Sequence, residues 1–91
     1  MDKQIWKFKL PFDSTKIDMP FGADILTVQV QNEQAYIWAM VNPLNSLKPR
    51  YFQTFSTGEN IKSNADNKNQ YIGTYQLEDG LFVYHVFERI N

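Results

Sequence analysis

ILTVQVQ-NE-QAYIWAMV, residues 25–41, decides the fold. Val, Ile, Thr, Tyr and Trp dominate it, the β-branched and aromatic types that suit a pleated, half-buried surface. With Asn32-Glu33 as a two-residue loop, Gln31 pairs with Gln34, Gln29 faces Tyr36 and Thr27 faces Trp38. The opposite face is then Val30–Ala35, Val28–Ile37 and Leu26–Ala39, apolar throughout. A three-residue loop slides the pairing by one and mixes the two faces, so the two-residue hairpin is the expected one.

The same alternation continues outward in both directions. From Ile5 to Leu10, Trp6, Phe8 and Leu10 point one way while Lys7 and Lys9 point the other, a strand with one wet face. Pro11 suits the end of that strand. Asp13-Ser14-Thr15 signals a turn, Thr15 to Met19 a short second strand, and Pro20-Phe21-Gly22 a reversal. Residues 42–49 read as a loop, Arg50 to Thr57 as a strand ended by Gly58, and residues 59–69 as an exposed polar loop with a helical turn near Ser63 to Asp66. Gln70 to Leu77 and Leu81 to Glu88 flank Asp79-Gly80, a dipeptide suited to a type I′ turn. That hairpin sets Leu77 against Phe82, Tyr75 against Tyr84, Thr74 against His85 and Gly73 against Val86, with Gly73 marking a bulge or admitting a neighbouring aromatic. Ile90 and Asn91 are expected to fray. The expectation is one all-β domain over residues 1–91, a small antiparallel sandwich or partly open barrel of six to seven strands.

A chain of 91 residues suffices for one domain, and its small size leaves a thin stability margin. Two Trp, five Tyr and seven Phe answer that with large buried rings; with no Cys, no disulfide contributes, which fits a reducing compartment. No stretch approaches the ~20 apolar residues of a bilayer-spanning helix, and the N-terminus lacks a signal-peptide apolar run, so a soluble, cytoplasmic protein is expected. Nine basic and ten acidic residues give a net charge of −1, and the basic ones are scattered. Duplex nucleic acid is therefore not an expected partner, since phosphate neutralisation needs clustered cations.

Catalytic and metal chemistry find little support. His85 has no Cys or second His with which to hold zinc. Glu59 and Asp66 lack the spacing of a calcium loop. Thr74, opposite His85, supplies proximity but no orienting acid, so the plainer reading is a histidine hydrogen-bonded to a neighbouring hydroxyl. Gly22, Gly58, Gly73 and Gly80 are too dispersed to cradle a phosphate. A non-enzymatic protein without metal or cofactor is expected. Binding candidates are Tyr36 and Trp38 beside Gln29 and Gln31, together with Arg50, Tyr71, His85 and Arg89. Amphipathic rings flanked by amides suit a protein interface or a stacking platform for a base. The alternative is that Tyr36 and Trp38 form a second core layer under another sheet. Arg50 and Arg89 either clamp an anion or pair with an acid such as Glu88.

The blocks IWKF (5–8), MPFGADILTVQVQN (19–32), YIWAMVNP (36–43), STG (56–58), YIGTYQL (71–77) and FVYHVFE (82–88) resemble a family of small proteins carried by bacteriophages and prophages. The resemblance covers most of the chain outside residues 44–49 and 59–69. The family often has Gly where Ser56 stands. The resemblance implies a phage product acting in an infected bacterial cytoplasm, and it brings no catalytic residues. It points to a binding protein that antagonises a host defence or regulatory factor, by holding a host protein or a nucleotide-like small molecule. Separately, exposed β-edges and the surplus of aromatics lead to the expectation of a homo-oligomer, most simply a twofold dimer. The other two readings are a structural or assembly accessory of a phage particle and a small enzyme using His85.

Overall fold

The computed structural model describes residues 2–62 and 68–90. Seven strands form: β1 (Gln4–Lys9), β2 (Ser14–Pro20), β3 (Asp24–Gln31), β4 (Gln34–Val41), β5 (Leu47–Ser56), β6 (Asn69–Leu77) and β7 (Phe82–Arg89). No helix occurs among the described residues, so none is there to cross a membrane. β1-β4-β3 make a three-stranded sheet and β2-β5-β7-β6 a four-stranded one; every pair is antiparallel and neither sheet closes into a barrel.

Alternation explains the core. β4 buries Ala35, Ile37, Ala39 and Val41 and leaves Tyr36, Trp38 and Met40 half-buried on its other side. The buried row packs with Val28, Phe52, Tyr75 and Val86 in a single cluster drawn from both sheets. Trp6, Phe8 and Leu10 line the same inner face, as their spacing predicts. The thinnest dimension of the fold, 15 Å between Cα extremes, accommodates two sheets about 10 Å apart and leaves no room for a third layer.

The central hairpin has the expected two-residue loop, with Asn32 and Glu33 at φ 49° and 61° and Gln31 opposite Gln34. Its register departs from expectation at one place: Ile25, not Leu26, faces Ala39. Leu26 is the extra residue of a β-bulge and is exposed. The chain just before it is fixed, because Phe21 N–H donates to the Ser46 carbonyl and the Asn45 amide to the Phe21 carbonyl. A strand anchored at its entry and at its turn absorbs a surplus residue as a bulge.

Three other boundaries move. β5 begins at Leu47, inside the stretch read as loop, with Pro49 paired to Asp18. Arg89, the last β7 residue in the β5–β7 ladder, faces Tyr51, so Pro49 has only β2 as a neighbour and its missing N–H costs no ladder bond on that flank. The β6–β7 turn is centred one residue early: Glu78 and Asp79 take φ 50° and 55°, and Gly80 N–H donates to the Leu77 carbonyl. The strand pairing expected there, Leu77 with Phe82 and Tyr75 with Tyr84, is present, because a longer loop (78–81) keeps those residues in register. Ile90, expected to fray, donates its N–H to the Lys68 carbonyl. The helical turn expected near Ser63 to Asp66 falls outside the described residues, as does Asn91.

Gly73 sits beside a bulge between Tyr71 and Gly73, and it meets Val28 of the other sheet rather than an aromatic ring. A Cβ built there lies 3.6 Å from the Val28 side chain, an ordinary contact, and its φ is not in the left-handed region. Gly73→Ala is therefore expected to stabilise the fold by about 0.5 kcal/mol, chiefly by lowering unfolded-state entropy. Urea unfolding checks this; a loss above about 1 kcal/mol means the two sheets need that gap.

Candidate binding face

The eight binding candidates separate into three places. Tyr36, Trp38, Gln29 and Gln31 share the outer face of the three-stranded sheet. Arg50 lies at the mouth between the sheets. Tyr71, His85 and Arg89 belong to β6 and β7 of the other sheet.

The first group has the most regular geometry. Directly opposed residues in an antiparallel ladder project to the same side. On the outer face Lys7, Trp38 and Thr27 form one cross-strand row, and Lys9, Tyr36 and Gln29 form the next. Ile5, Met40 and Asp24 close one end; Gln34 and Gln31 close the other. The face is not a second core layer, because the second sheet packs against the opposite side of β4. Its rings are half-buried, and the Lys7 side chain reaches over both. The Lys7 ammonium lies 4.6 Å from the Tyr36 ring centroid and 5.8 Å from that of Trp38, and donates to Gln31 Oε1 at 2.6 Å. Such an exposed cation–π contact is worth ~0.5–1 kcal/mol. The Trp38 indole N–H is itself buried and has no acceptor among the described residues.

Arg50 is engaged within the fold. Its guanidinium grips Glu88 with two nitrogens, Nε to Oε2 and a terminal nitrogen to Oε1, and donates to the Ala23 carbonyl at 2.9 Å. The Glu88 hydrogen bond pushes the Arg50 pKa above its ordinary value; burial opposes this, and the charges of Glu88 and Asp24 add to it. Arg50 and Tyr71 do border one cleft of about 180 Å³, but Glu88 and Asp24 border it too, so the cleft is not a cationic site.

On the outer face of the four-stranded sheet Tyr71 meets the Phe87 ring edge-on at 5.5 Å, and Phe87 meets Phe55 at 5.8 Å. Thr74 faces His85 as expected. Both ring nitrogens bond to hydroxyls, Nδ1 to Thr74 at 3.0 Å and Nε2 to Thr57 at 2.7 Å. Thr57 donates to the Val83 carbonyl and so accepts from Nε2; Nδ1 then accepts from Thr74, which accepts from the Tyr71 hydroxyl. No carboxylate takes part in this chain, so His85 has hydroxyl partners but no orienting acid. Arg89 stands across from Tyr51 on one side and Asn69 on the other. Among the described residues no group of three His, Asp or Glu side chains gathers to hold a metal ion.

Sequence reasoning missed Lys7 and Lys9 as members of the aromatic face. Their outward orientation is legible, but β1 reaches β4 across 24 intervening residues from Leu10 to Glu33. No local pattern announces that pairing.

Fold and face together define a two-sheet antiparallel β-domain with an open aromatic platform on its smaller sheet. The chain belongs to the DUF7352 family, a domain of unknown function, whose match runs over residues 1–91. No curated protein and no solved structure matches it.

Proposed function

We propose that this protein is a non-enzymatic binding module that holds a nucleobase-bearing ligand on the outer face of its three-stranded sheet. The observation that carries this reading is the pair Tyr36 and Trp38, side by side on a face no other sheet covers, with the Lys7 ammonium over both rings. Ring faces that attract a cation also stack on planar bases, and the adjacent lysines suit the phosphate such a ligand carries. The resemblance to bacteriophage proteins supports a role in which the ligand is withdrawn from a bacterial host's defence or regulation. The residues proposed to act are Tyr36 and Trp38 as stacking rings, Gln29 and Gln31 as amides reading the ligand's edges, and Lys7 and Lys9 as counter-charges. Arg50 has no part, because Glu88 already holds it.

The two tryptophans make the reading testable. Trp6 belongs to the inner face and donates its indole N–H to Gln4 at 2.7 Å, so it serves as an internal control. Titration with nucleotides, cyclic di- and trinucleotides and short oligonucleotides is expected to move the Trp38 indole N–H resonance and leave that of Trp6 in place. Trp38→Ala is expected to weaken binding ten- to a hundredfold, the loss of one base–aromatic stack. If none of these ligands at high micromolar concentration shifts the Trp38 signal, the platform reading fails.

A further inference from the structure

Resting on that reading, we infer that the ligand is a linear single-stranded nucleic acid, held as a step of two successive nucleotides whose backbone runs along β1. The argument comes from the register. The face repeats one arrangement twice: cation, ring, hydrogen-bonding side chain. Lys7, Trp38 and Thr27 form the first row, and Lys9, Tyr36 and Gln29 the second. In both rows the lysine is on β1, one edge of the sheet, and the polar group is on β3, the other edge.

Rows two residues apart on a strand are separated by about 6.7 Å. That is roughly twice the 3.4 Å rise of a stacked strand, so bases matched to the rows are unstacked from each other and rest on one ring each. Both cations then lie on the same side of the rings, where consecutive phosphates of a linear strand fall. A cyclic dinucleotide has the opposite layout, with its phosphates in a closed ring between two outward bases, and it cannot put both phosphates beside β1 with both bases across β4. The edge amides of Gln29 and Gln31 are exposed and long enough to bond base edges, which favours a bound base over a bare ring contact.

Lys7 has a double task in this scheme. In the free protein it caps the two rings and bonds Gln31. An exposed cation–π contact is weaker than a base–aromatic stack. An arriving base therefore displaces the ammonium, which turns toward the phosphate while Gln31 is released toward the base. Two phosphates on two lysines give a logarithmic salt dependence of about −1.4.

Fluorescence anisotropy of labelled oligothymidylate and oligouridylate tetramers, with cyclic dinucleotides as competitors, tests this on the full chain. Both tetramers are expected to bind, cyclic dinucleotides to compete poorly, and salt to act with the slope above. Lys7→Gln and Lys9→Gln are each expected to reduce the slope by about 0.7 and to weaken binding at low salt roughly fivefold. Unaltered or tighter binding by Lys7→Gln makes that lysine an obstacle rather than a phosphate contact and overturns the inference. If cyclic dinucleotides bind and shift Trp38 while the tetramers do not, the platform stands and the linear-strand inference falls. If neither binds, both fall, and a protein partner takes the face instead.

Discussion

Glu88→Ala is expected to cost about 3 kcal/mol of folding stability, the largest loss at any polar position in the described fold. Glu88 is almost fully buried, and both of its carboxylate oxygens bond to Arg50. Removing it leaves a guanidinium with one remaining partner, the Ala23 carbonyl. Breaking a buried pair from one side costs ~3–5 kcal/mol; the lower end applies here because the Arg50 side chain is still 25% exposed. The double variant Arg50→Met/Glu88→Met is expected to return to within about 1 kcal/mol of the parent, since the desolvation of both ions disappears together. Urea unfolding with an unchanged m value is the measurement. Arg50 has a raised pKa in the folded state, so its share of the pair is complete below the unfolded guanidinium pKa and fades only in strong alkali. A Glu88→Ala loss below ~0.5 kcal/mol makes the pair a surface contact and returns Arg50 to the candidates for anion binding.

Short-range features of this fold were legible because a hairpin encodes its own register. Val28 with Ile37, Gln29 with Tyr36 and Thr74 with His85 all follow from alternation plus a turn signal. The errors have a common origin in contacts that local pattern does not carry. Leu26 was displaced by an anchor between the β2–β3 turn and the β4–β5 loop, and Pro49 was admitted to β5 by where β7 ends. Glu78 joins Asp79 and Gly80 at positive φ because the strands' pairing, not the best turn dipeptide, sets the loop.

The site was legible in chemistry but not in assembly. Rings beside amides on β3 and β4 could be read from one hairpin, and those four residues do stand together. Residue type alone nominates Arg50, Tyr71, His85 and Arg89, and the topology sends them elsewhere. The missing cations sat in plain view as the wet side of the first strand. What hid them was strand order: β1 docks on β4, so Lys7 and Lys9 join the rings only after folding.

A second large effect separates the core between the sheets from the outer face of the smaller sheet. Phe52 is 1% exposed and joins the cluster between the sheets, so Phe52→Ala is expected to cost about 4 kcal/mol. A 91-residue domain has a total stability of roughly 5–14 kcal/mol, so this variant loses between about a third and about four-fifths of it. Trp38 has a larger ring but stands half-buried on the outer face, with the Lys7 ammonium 5.8 Å from its centroid. Trp38→Ala is expected to cost only about 1 kcal/mol, within the range of ordinary point changes. Paired denaturation of the two variants measures the contrast directly. A ring that carries binding and little stability marks a face kept free for a ligand. A Trp38→Ala loss approaching that of Phe52→Ala means that the face is already buried in solution, and the platform then belongs to an interface between copies of the chain.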